Sequence, residues 1–262
     1  MEQDFPERIM AYKIVLEPGH GGSDWGASYN GRKEKDDVLN LAFAVGQILE
    51  NAGIDVEYTR TTDVYNTPFE KATMGNNADA DFFVSIHRNA TATPGQGTGI
   101  ETLVYDDSGI KAEMARNINE NLEGLGWTNR GVIERPNLVV LKRTKMPALL
   151  VEAGFIDNPS DNAKFDEQFN EIAEAIADGI LDTLDMGDLM ETPLYRVQVG
   201  AYDSADTAAT LSMRLNNAGY PAYVVNSNGV YRVQVGAFAN LANAVAMENR
   251  LRNEGYTTFI TT

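Results

Sequence analysis

Short apolar runs alternate along the chain with longer stretches in which apolar residues recur every three or four positions. Predicted strands occupy residues 14–16, 56–59, 82–87, 100–105, 138–141 and 149–151. Predicted helices cover residues 38–52, 110–125 and 162–184, from the spacing of their apolar residues, and residues 68–77, which a proline opens. Strands that alternate with helices in this way predict an α/β fold, with a twisted, mostly parallel sheet covered by helices.

The C-terminal part of the chain follows a different pattern, because it repeats itself. Residues 195–225 and 231–261 align without a gap at an offset of 36, and 13 of the 31 positions are identical. Residues 195–201 recur unchanged as residues 231–237. Each copy reads as strand, helix, strand, and two copies are too few for a solenoid. The tail is therefore predicted to be a small α+β domain of two βαβ repeats, with helices on one face of a four-stranded sheet.

The change of pattern divides the chain into two domains. We expect an N-terminal extension at residues 1–10 and a large α/β domain at residues 11–184. Residues 185–193 contain glycine and proline and are predicted to be a linker. The repeated domain then occupies residues 194–262.

The net charge of the chain limits the kinds of molecule that it is expected to bind. The net charge is −17 over 262 residues, which argues against nonspecific binding to nucleic acid or to an anionic membrane. From Leu194 onward five arginines accompany four acidic residues, so the tail carries +1 and the first 193 residues carry −18. No stretch has transmembrane length, and the N-terminus lacks the basic and apolar regions of a signal peptide. We therefore expect a protein without a membrane span that is made in the cytoplasm without a signal peptide.

The two histidines of the chain are the first candidates for chemistry. His20 lies in a glycine-rich turn after the first predicted strand, and His87 ends the apolar run at residues 82–87. Because the carboxyl ends of neighbouring parallel strands meet at one edge, the two histidines are predicted to be ligands of one metal ion. The chain has no cysteine, so a zinc site would need histidine and carboxylate ligands, of which two histidines and one glutamate are a recurrent catalytic set.

The third ligand and a general base must then be carboxylates. Glu34, just before the first predicted helix, is the natural third ligand, although Asp24 and Glu17 compete with it on position alone. Glu152 directly follows the apolar residues 148–151. A carboxylate at the end of a buried strand is costly unless it is hydrogen-bonded or linked to a metal, which makes Glu152 the candidate base.

Four separated motifs resemble those of the zinc-dependent N-acetylmuramoyl-L-alanine amidases, in order and in spacing, over about residues 12–184. The motifs are residues 17–22, 34–36, 85–90 and 147–158. The resemblance implies that His20, Glu34 and His87 bind zinc and that Glu152 is the catalytic glutamate. It also implies hydrolysis of the amide bond between N-acetylmuramic acid and the L-alanine of the stem peptide. Glu17 departs from the family, which usually has aspartate at this position.

The repeated tail resembles a SPOR domain, a module that binds peptidoglycan. Arg196, Gln198, Arg232 and Gln234 alternate with valines, so they share one face of the predicted sheet. We expect this face to lie away from the helices and to bind glycan strands.

Two other functions remain open on the sequence. One is a wall-binding protein whose amidase fold does not catalyse, and the other is a zinc peptidase that cuts a bond within the stem peptide. An amidase of this layout is expected to reach the wall either as a phage endolysin, after a holin opens the membrane, or as an autolysin when a mother cell lyses.

Overall fold

The computed structural model describes residues 12–186, 194–238 and 241–262. The predicted N-terminal extension at residues 1–10 and most of the predicted linker lie outside the described residues. The described strands are β1 (Lys13–Pro18), β2 (Ser28–Tyr29), β3 (Arg32–Lys33), β4 (Asp55–Tyr58), β5 (Phe82–Asn89), β6 (Ile100–Val104), β7 (Asn129–Glu134), β8 (Ala148–Phe155), β9 (Tyr195–Tyr202), β10 (Ala222–Ser227), β11 (Val230–Phe238) and β12 (Phe259–Thr261). The described helices are α1 (Glu34–Asn51), α2 (Pro68–Asn77), α3 (Gly109–Gly124), α4 (Val139–Arg143), α5 (Pro159–Glu167), α6 (Phe169–Thr183), α7 (Ala205–Asn217) and α8 (Leu241–Asn253).

Within residues 12–186, a six-stranded sheet has the order β4-β1-β5-β8-β6-β7, and β2 pairs with β3 in a separate hairpin. β1 is parallel to β4 and β5, and β5 is parallel to β8. β6 runs antiparallel to β8, and β7 is parallel to β6. The mostly parallel sheet confirms the predicted fold class. The amino ends of β6 and β7 therefore lie at the same edge as the carboxyl ends of β1, β5 and β8. We call it the catalytic edge, because the strand ends that carry the predicted metal ligands and base meet there.

The two faces of this sheet are covered to different extents. One face packs against α1, α3 and α6 and forms the main core. On the other face, Val15 and Phe83 pack in a smaller cluster with residues of α2 and α4. Because side chains alternate along a strand, Glu17 and Ser85 lie on this second face two positions farther on, and His87 follows them. On this second face, the apolar side chains near the start of the strands are thus followed by polar side chains near their carboxyl ends.

Several elements differ from the sequence-based prediction. The predicted strand at residues 138–141 is wrong, because Val139–Arg143 forms the short helix α4. A run of four apolar residues cannot by itself distinguish a buried strand from a helical turn. β7 was not predicted, and its mixture of exposed and partly buried residues gives only a weak strand pattern. The helix predicted over residues 162–184 is two helices, α5 and α6, which meet at Gln168.

Residues 194–238 and 241–262 form a four-stranded antiparallel sheet in the order β10-β11-β9-β12. Helices α7 and α8 cover one face, where the valines of the repeated motif are buried, namely Val197, Val199, Val233 and Val235. This is the predicted tail fold, in which the repeats contribute one helix each to the same side of the sheet.

The helix-free face of the tail sheet packs against α1 and α6 of the large domain. Tyr223, Val225 and Ala237 of this face are buried in the same apolar cluster as the two helices. The ring of Tyr223 stacks on Phe169, with centroids 5.9 Å apart. Every residue of α1 from 41 to 49 is consequently buried, so the helix is covered on all sides and not only toward its own sheet.

Polar contacts accompany this docking of the tail. They are the Gln47 Nε2 donation to Pro221 O at 2.7 Å, the Val224 amide donation to Asn40 Oδ1 at 3.2 Å, the Asn226 Nδ2 donation to Asp166 Oδ2 at 3.1 Å and the ion pair of Arg196 with Glu174. Each places hydrogen-bonding partners on opposite sides of the contact, which favours one register of the tail on the helices.

No helix in the described ranges is both long enough and apolar enough to span a bilayer. Even α1, with 18 residues, has three acidic residues in its first turn.

Candidate metal centre and catalytic edge

His20, Glu34 and His87 come together at the catalytic edge. One potential ligand atom from each residue lies within 4.8 Å of the other two. Glu34 Oε2 is 3.2 Å from His20 Nε2, and Glu34 Oε1 is 2.8 Å from His87 Nδ1. Two ligand atoms bound to one tetrahedral zinc ion at about 2.0–2.1 Å lie about 3.3 Å apart. The separations of Glu34 from the two histidines are therefore close to those of ligands on a single zinc ion.

His20 lies in the turn that follows β1. Its backbone is in the left-handed region, with φ of 59°, which is uncommon for a residue other than glycine. Gly26 packs directly against it, since a Cβ atom at this position would lie 2.5 Å from His20 Cδ2 and 2.5 Å from Glu34 Oε2. The glycine thus leaves the space in which the imidazole and the carboxylate approach each other.

Glu34 is the first residue of α1, and a β-hairpin turns it toward the catalytic edge. Asn30 and Gly31, with φ of 50° and 85°, connect β2 to β3 in the two-residue turn that an Asn-Gly pair favours. The Ala27 amide donates to Glu34 Oε2 at 2.8 Å, and the Arg88 amide donates to Oε1 at 3.0 Å. The hairpin was not predicted, although the Asn-Gly pair is a recognisable hairpin signal.

Two further carboxylates contact the outer nitrogens of the histidine rings. Asp24 Oδ2 is 2.9 Å from His20 Nδ1, and Glu17 Oε2 is 3.7 Å from His87 Nε2. The buried Lys71 forms an ion pair with Glu17 at 2.6 Å. Metal-binding histidines are usually oriented by such a carboxylate on the nitrogen that does not face the metal.

Glu34 is the carboxylate that lies between the two histidines, whereas Asp24 and Glu17 lie outside them. Burial opposes ionisation of Glu34, but hydrogen bonds to His20 and His87 outweigh it and lower the pKa of Glu34. Burial also disfavours the charged form of His87, but Glu17 and Glu34 outweigh it and raise the pKa of His87 to about 10. The ionised carboxylates therefore stabilise a positive charge at this point, and a bound cation would supply such a charge.

Glu152 lies beside His87, because the two residues are register partners on β8 and β5. Its Oε2 atom is buried and has no hydrogen-bond partner among the described residues. Burial raises the pKa of Glu152 to about 7, with His87 opposing this and Glu34 and Glu101 adding to it. A carboxyl group with a pKa near neutrality can both accept and donate a proton at neutral pH.

Two buried arginines, to which the sequence analysis assigned no role, brace the catalytic edge. Arg60 donates to Gly19 O at 2.8 Å and to Lys35 O at 2.8 Å, which ties the turn after β1 to the start of α1. Arg88 forms an ion pair with Asp37 of α1 at 2.6 Å. For Arg88 the sequence signal is a cationic residue that directly follows the apolar run of β5, where a buried charge needs a specific partner. Arg60 follows the partly exposed strand β4 and has no comparable signal.

The four polar residues expected to bind glycan share the helix-free face of the tail sheet, but this face is not open. Gln198 and Gln234 are each only 4% exposed. Arg196 is paired with Glu174 of α6, and Arg232 is partly buried. The face lies away from α7 and α8, as expected, but in the docked tail it is largely buried. Docking removes the apolar residues of this face from water, and the polar residues beside them are buried as a consequence.

Comparison with known families divides the chain at the same place as the fold does. Residues 14–182 match the N-acetylmuramoyl-L-alanine amidase family, and residues 191–262 match the SPOR domain family. The sporulation-specific N-acetylmuramoyl-L-alanine amidase of Bacillus subtilis (strain 168) is 35% identical over 219 residues, which are 81% of this chain and 84% of that protein. The endolysin of Bacillus phage SPP1 is 38% identical over 187 residues, which are 68% of this chain and 68% of that protein.

Solved structures extend the likeness to the fold. The crystal structure of an N-acetylmuramoyl-L-alanine amidase from Clostridium difficile 630 has a TM-score of 0.62 and 34% identity, over 67% of this chain and 97% of that one. The catalytic domain of the amidase CwlV from Bacillus (Paenibacillus) polymyxa has a TM-score of 0.61 and 32% identity, over 67% of this chain and 99% of that one.

Proposed function

The chain belongs to the N-acetylmuramoyl-L-alanine amidase family and carries a SPOR domain, and from this premise we propose that it hydrolyses peptidoglycan with a zinc ion. The bond cut is the amide between N-acetylmuramic acid and the L-alanine of the stem peptide. The observation that carries the zinc dependence is the convergence of His20, Glu34 and His87 on one point of the catalytic edge.

The three donors have the chemistry of a catalytic zinc site, which uses three protein ligands and keeps one position for water or substrate. His20, Glu34 and His87 would hold the ion, and Asp24 and Glu17 would keep the two imidazoles in orientation. When bound, a zinc ion supplies Lewis acidity, which polarises an amide carbonyl and acidifies a water molecule.

Glu152 is the proposed general base and acid. It takes a proton from the attacking water and delivers it to the nitrogen of L-alanine as the amide bond breaks. Its buried and unbonded Oε2 and its raised pKa support both transfers. Its place in register with His87 keeps the carboxylate beside the metal ligands throughout.

The amidase, a non-catalytic wall-binding protein and a zinc peptidase can be distinguished by their effect on cell walls and by their products. A turbidity assay on purified cell walls, with and without a chelator, tests catalysis and its metal dependence together. Clearing that the chelator abolishes and added zinc restores is expected. Clearing that a chelator leaves intact would refute the zinc proposal, and no clearing at all would indicate a wall-binding protein. Mass analysis of the fragments would reveal a new N-terminal L-alanine for the amidase, and a cut within the stem for a peptidase.

We further infer that the tail binds glycan strands through Arg196, Gln198, Arg232 and Gln234. Arginine and glutamine can donate hydrogen bonds to sugar hydroxyls and acetamido carbonyls. Because this face is docked on α1 and α6, binding there requires the tail to separate from the large domain. Glycan strands and the two helices would then compete for one face, so wall binding and docking exclude each other.

A disulfide across the docked contact tests this competition. The Asn226 and Asp166 side chains meet across the contact, with Nδ2 3.1 Å from Oδ2, and the chain has no cysteine of its own. The double variant Asp166→Cys, Asn226→Cys should lose retention on purified sacculi when oxidised and regain it with reductant. Cleavage of soluble muropeptides should be the same in both states. Equal retention of the oxidised and reduced forms would show that glycan binding does not use this face.

The cell wall is the proposed site of action. The similar proteins include a sporulation amidase and a phage endolysin. In both settings the enzyme meets the wall after the membrane is opened by a holin or the cell lyses, and we propose the same route here. A neighbouring holin gene would favour the endolysin, and a sporulation promoter would favour the autolysin. Activity in the medium of intact, growing cells would refute both.

A further inference from the structure

A row of polar side chains crosses neighbouring strands at the catalytic edge. His87, Glu152 and Glu101 are register partners on β5, β8 and β6. Residues that are paired in register point to the same face of a sheet. The row therefore continues past Glu152, away from the metal ligands and toward the edge strand β7.

Arg130 of β7 meets this row, and a β-bulge sets its direction. The register of β6 and β7 shifts between Ile100 and Thr102, so that Arg130 and Gly131 together lie opposite Glu101. Gly131 has φ of 90°, in the left-handed region that favours glycine. Bulges re-aim a side chain and are frequent next to active sites. Here the bulge brings the arginine to the face that carries Glu101.

The guanidinium of Arg130 is held in place but remains accessible. Its Nε donates to Glu101 Oε2 at 2.8 Å, and its Cζ lies 5.1 Å from the centroid of the Phe155 ring. Glu101 is 6% exposed and also accepts a hydrogen bond from Asn89 Nδ2 at 2.9 Å. The Arg130 side chain is nevertheless 42% exposed, and its Nη groups have no hydrogen-bond partner among the described residues. An anchored guanidinium with free donors is well suited to bind a carboxylate.

We propose that Arg130 is a substrate-binding residue that recognises the free carboxylate of the second residue of the stem peptide. This inference rests on the proposed function, since the stem peptide is the leaving group of the amidase reaction. The residue after L-alanine in peptidoglycan is a D-glutamate linked through its side chain. Its α-carboxyl group is therefore either free or amidated, and Arg130 would favour the free form.

The distances agree with this assignment. Neighbouring strands are about 4.8 Å apart, so a guanidinium held over Glu101 lies about 5–10 Å from Glu152. Two residues of an extended peptide span at most about 7 Å. If Glu152 serves the nitrogen of L-alanine, the carboxylate of the next residue reaches the position of Arg130.

The test uses two soluble muropeptides that differ only in this group, one with a free α-carboxylate at the second stem residue and one with its amide. We expect the wild-type protein to show a KM at least about 10-fold lower for the free carboxylate, the size of a charge-assisted pair. Arg130→Gln should bring the two KM values within about 2-fold of each other, with kcat little changed. Arg130→Lys should keep part of the preference, because the charge remains and the planar fork is lost.

A merely structural role for Arg130 predicts a different result. If the arginine only neutralises Glu101, Arg130→Gln would lower activity on both substrates and leave their KM ratio intact. The ratio is measured within one variant, so a loss of stability cancels from it. Arg116→Gln is the matched control, because Arg116 is 49% exposed and paired with Asp107 beyond the other end of β6.

The outcomes separate the inference from the proposed function. Equal KM values for the two substrates in the wild-type protein, or an unchanged ratio in Arg130→Gln, would overturn the role of Arg130 while the amidase stands. Cleavage of neither substrate at the L-alanine bond would overturn the proposed function, and the inference with it.

Discussion

The catalytic edge of the large domain and the helix-free face of the tail both carry polar side chains, but they differ in what lies against them. At the catalytic edge, the side chains of His20 and His87 are 24% and 17% exposed. On the tail face, Gln198 and Gln234 are each 4% exposed, and this face packs against the large domain. One group of polar residues is reachable by substrate, and the other becomes reachable only if two domains separate.

The difference follows from where the apolar residues of each face lie. On the large sheet, the apolar cluster beneath α2 and α4 ends before the strands do, so the polar strand ends extend beyond it. On the tail sheet, Tyr223 and Val225 lie across from Gln234 and Arg232 in the same ladder. Burying the apolar members at about 25 cal/mol per Å² therefore buries the polar ones too. A row of polar side chains along a strand therefore does not guarantee that this face is exposed to solvent.

Removing a proposed metal ligand should have the largest effect, because it would eliminate the function of the catalytic edge and leave the tail face as it is. We expect His87→Ala to lose bound zinc and at least about 10³-fold of its activity, since a Lewis acid contributes several kcal/mol. Elemental analysis and turnover of soluble muropeptides measure the two losses. A variant that kept stoichiometric zinc would contradict the ligand assignment.

Replacing the proposed base should separate chemistry from metal binding at the same edge. We expect Glu152→Gln to keep its zinc and its fold and to lose about 10²–10⁴-fold in kcat, the usual contribution of a general acid or base. Zinc content, thermal melting and kcat are the measurements. Glu120→Gln, at an exposed position of α3, is the control and should behave as the wild type. Full activity of Glu152→Gln would assign the base to another group.

Separating the tail from the large domain should expose the helix-free face of the tail, so that it becomes accessible like the catalytic edge. Gln47 Nε2 donates to Pro221 O, and Gln47 is only 4% exposed, so Gln47→Glu replaces the donor with a buried carboxylate. An unpaired buried charge costs several kcal/mol of free energy. Separation of the tail exposes the carboxylate to water and removes this cost, so the variant favours the separated state. Retention on purified sacculi should then rise several-fold, with cleavage of soluble muropeptides unchanged.

The control for this variant is an equivalent change inside the large domain. Thr102 Oγ1 donates to Asn119 Oδ1 at 2.7 Å between β6 and α3, and Asn119 is 1% exposed. Asn119→Asp should lower stability without raising retention on sacculi. If both variants raised retention equally, general destabilisation and not undocking would be the cause.

The smallest expected effect concerns a half-buried carboxylate on α6, the helix that also contacts the tail. Burial, with Asp182 and Glu174 nearby, raises the pKa of Asp178 to about 6. A carboxyl group with a higher pKa in the folded than in the unfolded state destabilises the fold above that pKa, and the penalty fades as the pH falls toward about 4. Asp178→Asn should therefore raise the free energy of unfolding at neutral pH, by less than about 1 kcal/mol because solvent screens the side chain. Denaturant unfolding at about pH 7 and pH 4 checks this, and a gain of equal size at both would contradict the cause.

Much of the candidate site was predictable because its residues are tied to local features. His20, His87 and Glu152 each follow an apolar run, and a parallel sheet brings such strand ends together. The position of Glu34 also has a local cause, the Asn-Gly hairpin before α1, which apolar periodicity does not reveal. Arg130 could not be found in this way, because its strand has a weak pattern and a bulge in the pairing with β6 sets its direction.

Local periodicity by itself determined the α/β domain, the repeated tail and the side of each tail strand on which the valines lie, since these depend on spacing of 2.0 or 3.6 residues. Only the tertiary structure decided that β6 runs antiparallel and that the polar side of the tail sheet faces α1 and α6. Strand direction and docking depend on contacts between residues far apart in the chain. The uninterrupted apolar residues 41–45 of α1 were the one local trace of the docked tail, because a helix exposed on one side would alternate there with polar residues.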